Sequence, residues 1–89
     1  MRFSPGQVVA TPGAIEALKQ ANQSHLEFLR RHISGDWGDL SPDDCQANDV
    51  AVIAGGRILS AYHTPLQGRL YLITEHDRSV TTFLLPEEY

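Results

Sequence analysis

Three short runs of alternating apolar and polar residues, RILSAYHTPLQGRLYLITEHDRSVTTFLL over residues 57–85, constrain the fold more than any other stretch. They predict strands over 57–63, 69–75 and 79–85, joined by turns at 64–68 and 76–78 and ended by Pro86. Connections this short favour an antiparallel meander. An even register puts Ile58, Tyr62, Leu70, Leu72, Val80 and Leu84 on one face, the better core face. The opposite face then carries Arg57, Leu59, Ala61, His63, Tyr71, Ile73, Glu75, Thr81, Phe83 and Leu85. A slip of one residue would exchange these sets between strands.

The preceding residues read as helices that cover one face. Val8 and Val9 are β-branched, so residues 7–10 suit an N-terminal edge strand. Thr11-Pro12 is an N-cap followed by proline at the first helical position, opening a helix over about 12–21 with Ile15, Leu18 and either Ala14 or Ala21 in a small apolar stripe. Ser24 and Glu27 form a capping-box pattern, in which Ser24 accepts from the Glu27 amide and Glu27 reaches back. The helix that follows, over about 25–33, has Leu26, Leu29 and Ile33 in one stripe widened by Phe28, His32 at its boundary and Gly35 just past its end. Ser41-Pro42 opens a third helix to about residue 54, with Asp43 and Asp44 in its first turn and Gly55-Gly56 as its stop. Cys45, Val52 and either Asn48 or Asp49 share one of its faces.

The expected class is therefore α+β: three short helices on a three-stranded antiparallel meander, with an optional edge strand near Val8. Eighty-nine residues suit one domain, 1–89, with its helical part at about 12–54 and its sheet at about 57–85. A hydrophobic fraction of 42% with 20% charged residues argues against disorder. No apolar run reaches membrane-spanning length, and MRFSPGQVV lacks the apolar core of a secretory signal, so the cytoplasm is the expected compartment. The single Cys45 cannot close an intramolecular disulfide. A net charge of −4 disfavours a general nucleic-acid binder and suits a basic partner.

Familiar catalytic signatures are missing from the sequence: it has no glycine-rich phosphate loop and no G-x-S-x-G. His25 and His32 stand seven apart, one cysteine is present, and no HxxxH or CxxC occurs, so neither a metal site nor a cofactor is expected. Two constellations remain. One is the second sheet face, with Tyr71 and Phe83 as aromatic anchors and Glu75 beside them, reading as a surface for a protein partner or a second copy. The acidic loop Asp36-Trp37-Gly38-Asp39 could extend it, although a lone tryptophan between glycines reads first as a packed plug. The other is His63 with Arg57, Arg78 and Thr81, which could serve a metal-independent ribonuclease of the toxin type: an imidazole for acid–base work and guanidinium groups for phosphate. Arg57, Arg69 and Arg78 could instead serve a nucleic-acid-binding regulator.

The segments TPGAIEAL, RHISGDWGDL, RILSAYHTP and LITEHDRSVTTFLLPEEY resemble a family of small uncharacterised bacterial proteins described as plasmid-related and carried on mobile elements. The resemblance implies a bacterial cytoplasmic accessory protein and transfers no catalytic residue. The leading expectation is a non-enzymatic binding protein acting through the outer sheet face, with the ribonuclease and the regulator as alternatives.

Overall fold

Each helix begins at a side-chain oxygen placed to accept a free amide. The computed structural model describes residues 1–65 and 68–89, so part of the turn expected at 64–68 lies outside the described residues. Helix α1 (Pro12–Gln20) starts where the Thr11 hydroxyl accepts from the Ala14 amide, and α3 (Pro42–Ala54) where Ser41 accepts from Asp44. Helix α2 (His25–Ile33) starts at Ser24, which accepts from Leu26 rather than from the expected Glu27 amide. Gly55 ends α3 in the left-handed conformation, φ 83°.

Strands β2 (Ile58–Thr64), β3 (Gly68–Thr74) and β4 (Val80–Leu84) form the expected antiparallel meander. Strand β1 (Gln7–Ala10) joins it beside β4 and runs parallel, so the sheet is four-stranded and mixed, in the order β1-β4-β3-β2. The sequence leaves this direction open because all three helices lie between β1 and the meander, and a crossover that long accommodates parallel pairing.

The face assignment changes in β4. Thr74 pairs with Thr81 and Leu72 with Phe83, and the Glu75 amide donates to the Val80 carbonyl at 3.0 Å. The connecting loop thus holds one residue more than the expected 76–78, because Ser79 belongs to it. That single residue turns every β4 side chain over. Thr81 and Phe83 face the helices with Tyr62, while Val80 and Leu84 stand on the opposite face. The Arg78 backbone, at φ 60°, makes the turn.

The helix-covered face holds two clusters. Ala14, Leu18 and Phe28 pack on Tyr62, Leu70, Leu72 and Phe83, and Phe3 and Trp37 pack on Ile58. Fully burying a large apolar side chain contributes roughly 1.5–3 kcal/mol. The helices are rotated from the expected stripes: Ile15 and Leu26 are 55% and 54% exposed, while Ala17 and His32 point inward.

His32 is fully buried in a polar seam that crosses the sheet. Its Nδ1 lies 2.5 Å from Ser60 Oγ and its Nε2 2.8 Å from Thr74 Oγ1. Thr74 Oγ1 lies 2.6 Å from Thr81 Oγ1, which donates to the Pro5 carbonyl at 2.7 Å. That last bond fixes the order of the rest. Thr81 donates its proton to Pro5 and accepts from Thr74, which leaves Thr74 to accept from His32 Nε2–H. Burial holds the imidazole pKa down at about 4, so the ring is neutral near pH 7 and its Nδ1 then accepts from Ser60.

Candidate functional site

The outer edge of β2 is closed by the chain itself. The Asn48 carboxamide donates to the Leu59 carbonyl at 2.7 Å and accepts from the Leu59 amide at 3.2 Å. Two residues on, Ala61 donates to the Trp37 carbonyl at 3.1 Å and accepts from the Asp39 amide at 2.7 Å. Gly38 lies opposite Ala61 with φ 76°, and a Cβ there would collide with the Ala61 carbonyl. The GDWGDL segment thus acts as a short added strand, and its glycine allows the close approach. Trp37 is anchored by packing and by its indole N–H, which donates to Asp49 at 3.1 Å. The Trp37 bond and Arg2 hold the Asp49 carboxyl below its usual range.

Beside this edge is an open cleft of about 520 Å³ bordered by Arg31, Asp36, Gly38, Asp39, Tyr62 and His63. Asp39 accepts from His63 Nε2 at 2.8 Å and from Arg69 at 3.2 Å, and these bonds, His63 first, hold its carboxyl low. Arg31 pairs with Asp36 at 2.8 Å, which lowers the Asp36 pKa, and lies over the Tyr62 ring at 4.4 Å. Tyr62 donates to the Asp36 carbonyl at 2.6 Å, and burial pushes its phenol up to about 12.

The opposite edge is different. All four residues of β1 are exposed. The Gln7 amide donates to the Ser79 carbonyl and the Thr11 amide to the Phe83 carbonyl, so residues 7, 9 and 11 face β4. The alternation of a strand then turns the N–H and C=O of Val8 and Ala10 outward. Among the described residues no hydrogen bond reaches them. Next to this edge, between β1 and helices α1 and α2, is a mainly apolar cavity of about 370 Å³, lined by Val8, Ala10, Ile15, Leu18, His25 and Phe83 among others. Gln23 also borders it, with a buried Oε1 that meets no donor among the described residues.

The residues singled out from the sequence are dispersed. Thr81 is buried in the seam beneath the helices, on the face away from His63. Arg78 donates to the Ala51, Gly56 and Glu75 carbonyls at 2.8, 2.6 and 3.0 Å, closing the end of α3. Arg57 pairs with Glu75 at 3.3 Å and reaches the Tyr89 hydroxyl at 3.3 Å. His63, Arg57, Arg78 and Thr81 therefore do not share one concave surface, and the cation that accompanies His63 is Arg69. Phe83 is buried, so it is no outer-face anchor. Trp37 is buried likewise, so it packs as a plug and does not extend the outer face. Tyr71 is half-buried and meets Tyr89 edge-to-face at 6.2 Å. Beneath this pair Ile73 is buried, and the 3₁₀ turn Pro86–Glu88 lies against β3. The outer face is thus partly covered by the chain's own last residues. Glu88 fastens this segment: it accepts from the Thr11 hydroxyl at 2.6 Å and from the Gly13 and Leu85 amides. These bonds, Thr11 first, hold its carboxyl low.

Sequence reasoning missed the seam and the closure of the β2 edge; it placed an edge strand at residues 7–10 but did not mark it as a site. A trace of the seam was visible, since Ser60 and Thr74 are polar positions within the core-face pattern. Among the described residues no group of three or more His, Cys, Asp or Glu could hold a metal ion, and no helix is long and apolar enough to cross a membrane. Comparison with protein-family models, with curated proteins and with solved structures finds no match to this chain.

Proposed function

We propose that this chain is a non-enzymatic protein-binding module, an accessory protein of the bacterial mobile-element kind, whose docking surface is the β1 edge and the adjoining apolar cavity. The observation that carries this reading is the open hydrogen-bonding valence of Val8 and Ala10 beside a cavity of about 370 Å³. An extended segment laid along β1 would satisfy those groups and drop a side chain toward Phe83 and Leu18, the mode of recognition known as strand addition. It could also offer a donor to Gln23 Oε1, whose unpaired burial is costly. The surface differs from the outer face expected at first, because Phe83 lines the cavity instead of that face. The test is capture from a bacterial extract with wild-type and Val8→Pro baits of equal folded content. A partner held by the wild type should be lost from the variant; identical partner sets on both baits would refute the edge as the docking surface.

A second reading rests on the cleft where His63, Asp39, Arg69 and Arg31 gather. There a metal-independent ribonuclease would use His63 as the acid–base group and Arg69 for phosphate. It requires RNA cleavage that resists EDTA and disappears in His63→Ala. Equal, background-level cleavage by both proteins would remove this reading.

A further inference from the structure

Resting on the reading of β1 as the docking edge, we propose that its occupant is a second copy of this chain, paired β1 to β1 in antiparallel fashion about a two-fold axis at Val9, so that two four-stranded sheets join into one of eight. Three observations single out this occupant. The first is self-complementarity. With Val9 opposite Val9, Val8 lies opposite Ala10 of the other copy, and the outward N–H and C=O of both residues meet their counterparts in four hydrogen bonds. The neighbouring registers do worse: one carries Val8 opposite Pro12, which has no N–H, and the other uses Gly6 beyond the strand. The usable edge is only the four residues of Gln7–Ala10, and β1 itself is a partner of matching length.

The second is charge. Residues 7–10 are Gln, Val, Val and Ala, without a charged group, in a chain of net charge −4. Two identical acidic molecules repel least where a neutral patch meets a neutral patch. The usual guards of a free edge, lysine or proline within the strand, are also missing from residues 7–10. The third is apolar surface. Val8 and Val9 are 36% and 38% exposed, and Ile15 flanks the same cavity. Pairing brings the Val9 side chains together at the axis.

The experiment is sedimentation of the full chain across micromolar to millimolar concentration, alongside Val9→Lys and Val8→Pro, with circular dichroism to confirm folding. The wild type should sediment at twice the chain mass. Val8→Pro removes two of the four bonds, one from each copy, and should weaken association roughly 30-fold. Val9→Lys sets two ammonium groups face to face and should weaken it by about tenfold or more. The Val9 side chain lies on the face away from the helices, so this variant remains informative if proline disturbs the strand. For the register, Val9→Cys in a Cys45→Ser background should oxidise to a covalent dimer, because residues opposite at a non-hydrogen-bonded site bring their Cβ atoms within about 4.5–5.5 Å. A wild type monomeric at millimolar concentration overturns the proposal. So does a dimer indifferent to both substitutions, or one in which Val8→Cys cross-links with itself and Val9→Cys does not. A monomeric wild type that still loses a captured partner on Val8→Pro would sink the second copy as occupant and leave the docking edge standing.

Discussion

At the β2 edge the outward N–H and C=O of Leu59 and Ala61 are all taken, by Asn48 on one side and by the Trp37–Asp39 backbone on the other. At the β1 edge those of Val8 and Ala10 meet no partner among the described residues. Both are edges of one sheet with the same backbone chemistry. They differ because the chain spends a buried asparagine, a left-handed glycine and its tryptophan on closing one of them. An unpaired edge invites another chain, so closing β2 at Leu59 and Ala61 makes β1 the more open of the two edges to strand pairing.

The largest expected effect comes from proline at the closed edge. Ala61→Pro deletes the amide that donates to Trp37, at a site with no exposure. The ring must also fit where Gly38 already approaches closely. A loss of roughly 4 kcal/mol or more follows, enough to unfold a marginal domain. Urea denaturation measures it, and a loss below about 1 kcal/mol would mean that the GDWGDL segment does not act as a strand.

Next is the seam beneath the closed half. The folded state holds His32 neutral down to about pH 4, while the unfolded chain takes up a proton near the ordinary histidine value of about 6.5. The folded pKa is the lower of the two, so this contribution to stability is complete above about pH 6.5 and is lost as the pH falls toward 4. About 3 kcal/mol should disappear across that window. Denaturation at pH 7 and at pH 4.5 tests it, and His32→Gln should flatten the slope. An equally steep slope in that variant would assign the acid sensitivity to other groups.

A smaller loss should follow Asn48→Ala. It strands the Leu59 amide and carbonyl at once, but water can reach an opened edge and recover part of the bonding. A cost of about 2 kcal/mol is expected. The new edge should also raise the tendency to aggregate, read by light scattering; a variant as soluble and stable as the wild type would show that the clamp on Leu59 is dispensable.

The legibility of these features follows how local their causes are. The helix starts at Thr11, Ser24 and Ser41 and the stop at Gly55 were readable because a cap acts within four residues. The three meander strands were readable because alternation and turn residues lie within each run. The face of β4 was misread because it hangs on whether Ser79 belongs to the loop, and a one-residue difference inverts it. The burial of His32 was not readable, since its partners Ser60 and Thr74 lie 28 and 42 residues away. Arg78 was misassigned for the same reason: as a surface arginine it suggested phosphate, whereas the fold brings it to the carbonyl end of α3. The GDWGDL segment stood out, but its target, Ala61, is set by the tertiary structure.

The smallest effect sharpens the comparison most. Val8→Pro places the same residue type at the other edge, where the lost amide points outward and has no partner among the described residues. Proline suits an edge position whose N–H faces away from the sheet, and the restriction it puts on its predecessor is one that Gln7, already extended, meets. The cost to the isolated chain should therefore stay within about 1 kcal/mol, measured by thermal or urea denaturation at concentrations too low for association. Set against Ala61→Pro, the difference between two prolines at two edges measures how firmly one is closed and the other left free. Equal losses would show that the Val8 amide is already satisfied. In that case β1 would have no free valence for a partner, and the docking edge would have to be sought elsewhere.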